Sequence, residues 1–322
     1  MTRHLAVCLA TYRRPAMFDR LLDSFTSLIR PDGCDLELRI VDNDAEGSAQ
    51  ASVDAIRDRL GAFGQVRYEI EPQQNIAAAR NRGLAMGPAD LIAFVDDDEV
   101  VPADWLVQLV RSIDATGADA VFGPVQRRCP RGASRWMRRS GFLDKSVPSN
   151  DGPMSWAGTR TSNTLVLGQW FYEKNYRFDH SFGRSGGSDT DLFTRMAAQG
   201  GRYAASTRAS VWEDIEPERA NFRWLWKREY RNGLVYHRYS ANDSGAHHPA
   251  AQFAFRLAKS MLLIIKGSPR VLCGRLEGVC GGLLILALAC GGLTAWLVPK
   301  RATRYVEYGR SDTAPGLVGS DR

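Results

Sequence analysis

Four acids in a row, Asp96-Asp97-Asp98-Glu99, close the apolar run Leu91-Ile92-Ala93-Phe94-Val95. The run is short and starts soon after Gly87-Pro88, which reads as a buried strand. Open α/β sheets hold their ligands at the carboxyl ends of strands, and these acids fall there. Adjacent carboxylates repel one another, so a compensating charge is needed. A hard divalent cation with oxygen ligands, Mn²⁺ or Mg²⁺, would provide it. A solvated acidic turn ahead of a helix is the plainer reading of the same residues.

Two further acidic groups can do chemistry. Asp42-Asn43-Asp44 ends a second apolar run, and Asp189 follows Gly186-Gly187-Ser188. Two glycines let the backbone come close to a ligand. Asp189 then opens a helix, with Phe193 and Met196 on its inner side and Gly200-Gly201 ending it. An ordinary aspartate N-cap has the same pattern.

These groups need a scaffold that brings them together. Residues 5–10 make an apolar strand, and Thr11-Tyr12-Arg13-Arg14-Pro15 a turn whose proline suits a helix start. Phe18, Leu21, Leu22, Phe25 and Leu28 then recur at helical spacing. A strand over 36–41, a helix over 48–60 and a strand over 66–70 follow. Asn75 caps an alanine-rich helix that stops at Gly87-Pro88. After the acids, Trp105, Leu106, Leu109, Val110 and Ile113 mark another helix, and 120–125 a further strand. The alternation predicts an α/β fold, a mostly parallel sheet with helices on both faces. Right-handed crossovers would carry the strand ends 10–11, 42–44 and 96–98 to one edge.

Five stretches, in order, carry a family resemblance: Val7-Cys8-Leu9-Ala10-Thr11-Tyr12-Arg13-Arg14, Val41-Asp42-Asn43-Asp44, Asn75-Ile76-Ala77-Ala78-Ala79-Arg80-Asn81, Phe94-Val95-Asp96-Asp97-Asp98, and Gly186-Gly187-Ser188-Asp189-Thr190-Asp191-Leu192. Over the first two thirds of the chain this set resembles the family-2 inverting glycosyltransferases, which have the Rossmann-like GT-A fold. Residues 213–233, with Pro217, Arg219, Arg228, Arg231 and Gly233, look like the subgroup that builds bacterial exopolysaccharides.

The resemblance implies roles. Asp42 corresponds to the carboxylate that accepts from the nucleotide base. Ala10, Thr11, Arg13, Asn75, Arg80, Asp96 and Asp97 join it as donor-binding positions. Asp98 corresponds to the direct metal ligand of the D-x-D motif, with Asp96 and Glu213 as further candidates. Asp189 corresponds to the general base, and Gly186, Gly187, Ser188, Arg228 and Arg231 to the acceptor side. Two departures matter. Ser188 stands where the family usually has Glu, which leaves Asp191 as a rival base. Glu213 stands where many members have a metal-binding His.

The net charge is +6, with basic residues gathered late in the chain. That suits a membrane surface or an anionic substrate; no nucleic-acid-binding motif is present. Six cysteines lack C-x-x-C or zinc spacing, so no disulfide framework is expected. No signal-peptide h-region precedes the first strand. Aromatic and basic residues interleave from Phe222 to Tyr239, as in interfacial helices. Phe253 to Ile265 is apolar but holds Arg256 and Lys259, so it is expected along a surface. Gly278 to Val298 has no charge and is long enough to cross a bilayer. Its glycines weaken that reading, and Gly278 and Gly282 form a G-x-x-x-G pair.

The expected organisation is a GT-A catalytic domain over 1–215 and aromatic, basic acceptor-side helices over 216–268. A membrane segment over 269–299 and a polar tail over 300–322, disordered at its end, complete it. The expected activity is metal-dependent inverting transfer of a sugar from a nucleotide diphosphate sugar to a hydroxyl of a lipid-linked or growing glycan. Its expected place is the cytoplasmic face of the bacterial inner membrane. A nucleotidyltransferase acting on sugar phosphates, or a non-catalytic membrane-associated nucleotide-sugar binding protein, are the alternatives.

Overall fold

The structure, a computed structural model, describes residues 2–140, 150–155, 158–183, 186–240 and 249–298, with side chains described in all but 236–240. The expected polar tail and the cations Lys300, Arg301 and Arg304 lie outside the described residues.

The first half alternates as the apolar pattern requires. β1 (Arg3–Thr11), α1 (Pro15–Phe25), β2 (Cys34–Asp42), α2 (Gln50–Ile56), β3 (Gln65–Ile70), α3 (Ile76–Ala85) and β4 (Leu91–Phe94) follow one another. α1 buries Phe18, Leu21, Leu22 and Phe25, the predicted stripe. Each such side chain contributes about 1.5–3 kcal/mol as an upper estimate. Then come β5 (Glu99–Val100), α4 (Trp105–Thr116), β6 (Ala120–Phe122), β7 (Val125–Arg128), α5 (Arg135–Arg139), β8 (Gly152–Pro153), β9 (Thr164–Leu167), α6 (Gln169–Tyr172), α7 (Ser188–Ala198), β10 (Tyr203–Ala205) and β11 (Val211–Asp214). Three long helices end the described chain: α8 (Phe222–Ser240), α9 (Pro249–Val271) and α10 (Glu277–Leu297).

The main sheet runs β3-β2-β1-β4-β9-β6-β10-β8. β3, β2, β1 and β4 are parallel, with Thr11 beside Asp42 in register. The strand ends 11, 42 and 94 therefore meet at one edge, as expected. β9 enters antiparallel between β4 and β6. Sequence patterning did not reveal that strand, because Thr164-Leu165-Val166-Leu167 is too short to show a period.

The expected strand over 120–125 is two strands. β6 stays in the main sheet, while β7 joins a second sheet, β5-β11-β7. The break is Gly123-Pro124. A Cβ on Gly123 would run into Ala209 O and the Asn163 side chain, so only glycine lets the chain turn there. Asn163 pins the corner: its Nδ2 donates to Pro124 O at 2.9 Å and its Oδ1 accepts from Trp105 Nε1 at 2.8 Å.

Candidate active site

The edge where β1, β2 and β4 end is acidic, and its charges are distributed unevenly. Thr11 Oγ1 donates to Asp97 Oδ2 at 2.9 Å, tying β1 to β4. Glu99 is 1 % exposed and accepts from the Asp96 backbone N–H at 3.0 Å. Burial, and then the nearby Asp96 charge, push the Glu99 carboxyl well above the usual range. Burial pushes Asp97 up as well, with Asp98 beside it. Asp96 is raised to about 7, chiefly by desolvation and then by Asp98, Asp97 and Asp189, against the lowering effect of Arg80.

Arginines take the place of counter-ions. Arg14 Nη1 lies 3.3 Å from Asp97 Oδ1 and 3.2 Å from Asp98 Oδ2. Arg219 Nη1 lies 3.9 Å from the same Asp98 oxygen. Neither arginine was among the site positions read from the sequence. Arg14 sits inside the first motif, where its neighbour Arg13 was preferred. Arg13 instead turns outward with φ 51° and holds Asp44, Nε to Oδ2 at 2.8 Å.

Arg80 joins the acids to the glycine-flanked aspartate. Its Nη1 donates to Ser188 Oγ at 3.2 Å and its Nη2 lies 3.6 Å from Asp96 Oδ1. Arg80 thus links the acids to the start of α7, and it lines a crevice. Ala10, Arg80, Asp96 and Thr161 line its wall. The Thr161 hydroxyl is buried there and has no partner among the described residues. No sequence signal singled out Thr161, since a lone threonine carries no pattern.

Gly186 and Gly187 have φ 80° and 94°, a left-handed path that favours glycine and that opens α7. The N-cap position is Gly187, so Asp189 is a first-turn residue rather than a cap. Among the described residues, its Oδ1 accepts a local bond, from Thr190 N–H at 2.8 Å. Asp191 is committed elsewhere: Arg195 Nη2 lies 2.7 Å from its Oδ2, and Arg195 also donates to Arg177 O.

Several of the expected site residues also have partners within the chain. Asp42 is fully buried, and its carboxylate accepts from Ala49 N–H at 2.7 Å, Asp44 N–H at 3.0 Å and Tyr68 OH at 2.9 Å. These three protein donors fix the Asp42 carboxylate at the end of β2. Asn75 accepts from Ala77 and Ala78 N–H and donates to His180 O at 2.9 Å, which ties α3 to the loop leading to Gly186. The Thr11 hydroxyl donates to Asp97. Glu213, like Asp98, is paired with an arginine: Arg127 Nε lies 2.7 Å from its Oε2.

On the far side of Asp98, Arg219 approaches two arginines of α8. Arg228 lies over the Trp224 ring at 5.3 Å and pairs with Glu229 at 3.1 Å. Burial, with Arg228 and Arg219 close by, lowers Arg231 below the usual guanidinium range. Arg219 is also paired with Glu216 at 2.7 Å.

A divalent cation fits this site in one way. Among the described residues no three metal-ligating side chains converge into a cage. Asp98, which pairs with the Arg14 and Arg219 guanidiniums, and the half-exposed Asp96 offer hard oxygens to a shared ion. Such ions commonly take one or two carboxylates plus substrate phosphates.

Comparisons with known proteins agree with the fold and the motifs. The family model described as Glycosyl transferase family 2 matches residues 6–186, more than half of the chain. The succinoglycan biosynthesis protein ExoM of Rhizobium meliloti (strain 1021) is 37 % identical over 264 residues, 80 % of this chain and 82 % of that protein. The glycosyltransferase AglE of Haloferax volcanii is 30 % identical over 144 residues, 44 % of this chain and 46 % of that protein. Among solved structures, the mannosyltransferase PcManGT of Pyrobaculum calidifontis, in complex with GDP-Man and Mn²⁺, superposes with TM-score 0.59 at 16 % identity, covering 91 % of this chain and 88 % of that one. S. aureus TarS 1-349 in complex with UDP gives TM-score 0.52 at 12 % identity, covering 92 % of each chain. The chain belongs to the family-2 glycosyltransferases, and its fold is GT-A. It is a glycosyltransferase, so the nucleotidyltransferase and non-catalytic readings are set aside.

Proposed function

We propose that this chain is a metal-dependent inverting glycosyltransferase of exopolysaccharide synthesis. It moves a sugar from a nucleoside diphosphate sugar to a hydroxyl of a lipid-linked or growing glycan, at the cytoplasmic face of the membrane. The observation that carries the reading is Arg80, which touches Asp96 and Ser188 at once. It supports a crevice in which a leaving diphosphate and an incoming alcohol can be held side by side.

In this reading Asp189 takes the proton from the acceptor hydroxyl as that oxygen attacks the anomeric carbon. Gly186 and Gly187 let the acceptor approach the start of α7. Asp191, held by Arg195, orients the first turn. Asp98 and Asp96 would hold Mn²⁺ or Mg²⁺, which neutralises charge on the leaving diphosphate. Arg14 and Arg219, now on those carboxylates, are placed to turn toward the phosphate oxygens. Arg228 and Arg231 are the acceptor-side cations, suited to a lipid diphosphate. ExoM and PcManGT, by their names and complex, point to the polysaccharide context and to a cation with a nucleotide sugar.

A melting screen of nucleotide sugars with and without Mn²⁺ tests the proposal. At a ligand concentration of about 100 Kd, the right donor stabilises by ~2.7 kcal/mol. EDTA should remove that gain. No donor shifting the melt under any metal condition would defeat the reading.

A further inference from the structure

One helix face outside the crevice has no partner within the described chain. Phe255, Met261, Leu262 and Ile265 of α9 point outward, and Leu272 just beyond it is 93 % exposed. Spacings of three, four and seven put these residues on one side of the helix. On the opposite side, Ser260 and Gly267 are buried against α10. Ser260 Oγ donates to Gly282 O at 2.8 Å, and a Cβ on Gly267 would meet the Gly278 backbone. A row of exposed cations, Lys259, Lys266 and Arg270, borders the apolar face, and Arg275 follows in the turn. The α9 sequence holds no acid. An apolar stripe edged only by cations matches the boundary between acyl chains and anionic headgroups.

α10 is the one described helix long and apolar enough to cross a membrane. Its packing argues against that use. Glu277 at its start pairs with Arg139 of α5 at 3.2 Å. Leu284 is buried with Met137, Ile215 and Leu225, residues of the catalytic half and of α8. Further along, Tyr230 OH donates to Thr294 Oγ1 at 3.0 Å, and Ala295 is buried with Leu234. One side of α10 is therefore covered from end to end by α5 and α8. Crossing the bilayer would carry Arg139, Arg228 and Glu229 into hydrocarbon, at several kcal/mol for each charge.

We infer that the chain is monotopic: α9 lies in the plane of an anionic leaflet, with its apolar face among the acyl chains and Lys259, Lys266 and Arg270 at phosphate level, while α10 stays in the protein. This rests on the membrane-borne acceptor proposed above and specifies how the enzyme reaches it. The crevice then opens beside the leaflet without any segment spanning it.

The test is flotation of the full chain with vesicles of phosphatidylglycerol and phosphatidylethanolamine, against phosphatidylcholine alone. The wild type should float with the anionic vesicles and be released from bacterial membranes by alkaline carbonate. Replacing Phe255, Leu262 and Ile265 together by Glu should weaken partitioning by about tenfold or more. Replacing Lys259, Lys266 and Arg270 by Glu should remove the preference for anionic lipid. Both variants alter exposed positions, so they should keep the wild-type melting temperature and any donor-induced shift. Carbonate resistance of the wild type would overturn the inference, as would undiminished flotation of the apolar variant. A dimer that the apolar substitutions split, with no vesicle binding by the wild type, would assign the face to a second copy and also overturn it. Failure of the nucleotide-sugar screen with flotation intact would count against the transferase reading alone.

Discussion

At the residue scale, two aspartates a helical step apart have different fates because of their partners. Among the described residues, the Asp189 carboxylate accepts a local backbone bond, while Asp191 is closed by Arg195. Asp189→Asn should lower kcat by about 10²–10⁴-fold and leave donor affinity unchanged, read by single-turnover kinetics beside calorimetric titration. Asp191→Asn should keep most of kcat. Equal collapse of both would remove the assignment. Asp96 yields a pH prediction. Its folded-state pKa is about 7, above the usual 3.8, so the native state holds its proton more tightly than the unfolded chain. Stability is therefore lost as pH rises from the unfolded value through about 7. Asp96→Asn should melt a few degrees above wild type at pH 8, with the difference vanishing near pH 4. Asp98→Ala should abolish Mn²⁺-dependent donor binding, measured by the same melt.

At the element scale, glycine decides how the last helices meet. A Cβ on Gly291 would run into Tyr230 O of α8, and one on Gly233 into Leu288 O of α10. The two backbones touch, and no side chain can shift to make room. Gly291→Val should therefore destabilise the chain by more than the ~1–3 kcal/mol usual for overpacking, read as a lowered denaturation midpoint. The G-x-x-x-G pair of the sequence, Gly278 and Gly282, serves the same purpose within one chain: its partners are Gly267, Ser260 and Ile264 of α9. Elsewhere, Asn75 links α3 to the loop that precedes α7.

At the scale of the whole molecule, α8 is the joint between the catalytic sheet and the C-terminal helices. Arg219, just before it, reaches Asp98, while Leu225 and Leu234 along it pack on α10. Ending the chain after residue 240 would expose that apolar face of α8. The shortened protein should melt lower and self-associate, seen by calorimetry and light scattering, because a buried helix face would become an open patch.

The sequence by itself determined the alternation of strands and helices, the meeting of strand ends 11, 42 and 94 at one edge, and the family. The first two follow from local apolar periodicity and from acids placed at strand ends, which act over a few residues, and the family from the ordered motifs that resemble it. What only the tertiary structure decided was partnership. Asp42 and Asp98 look alike in a motif, yet one accepts from Ala49, Asp44 and Tyr68 and the other faces two arginines. Arg127 pairs with Glu213, and α5 and α8 pack along α10, contacts that no motif announces. Charge and apolarity are carried by each residue alone. Whether a charge is free or a helix covered depends on groups brought close from far along the chain, and no local pattern encodes them.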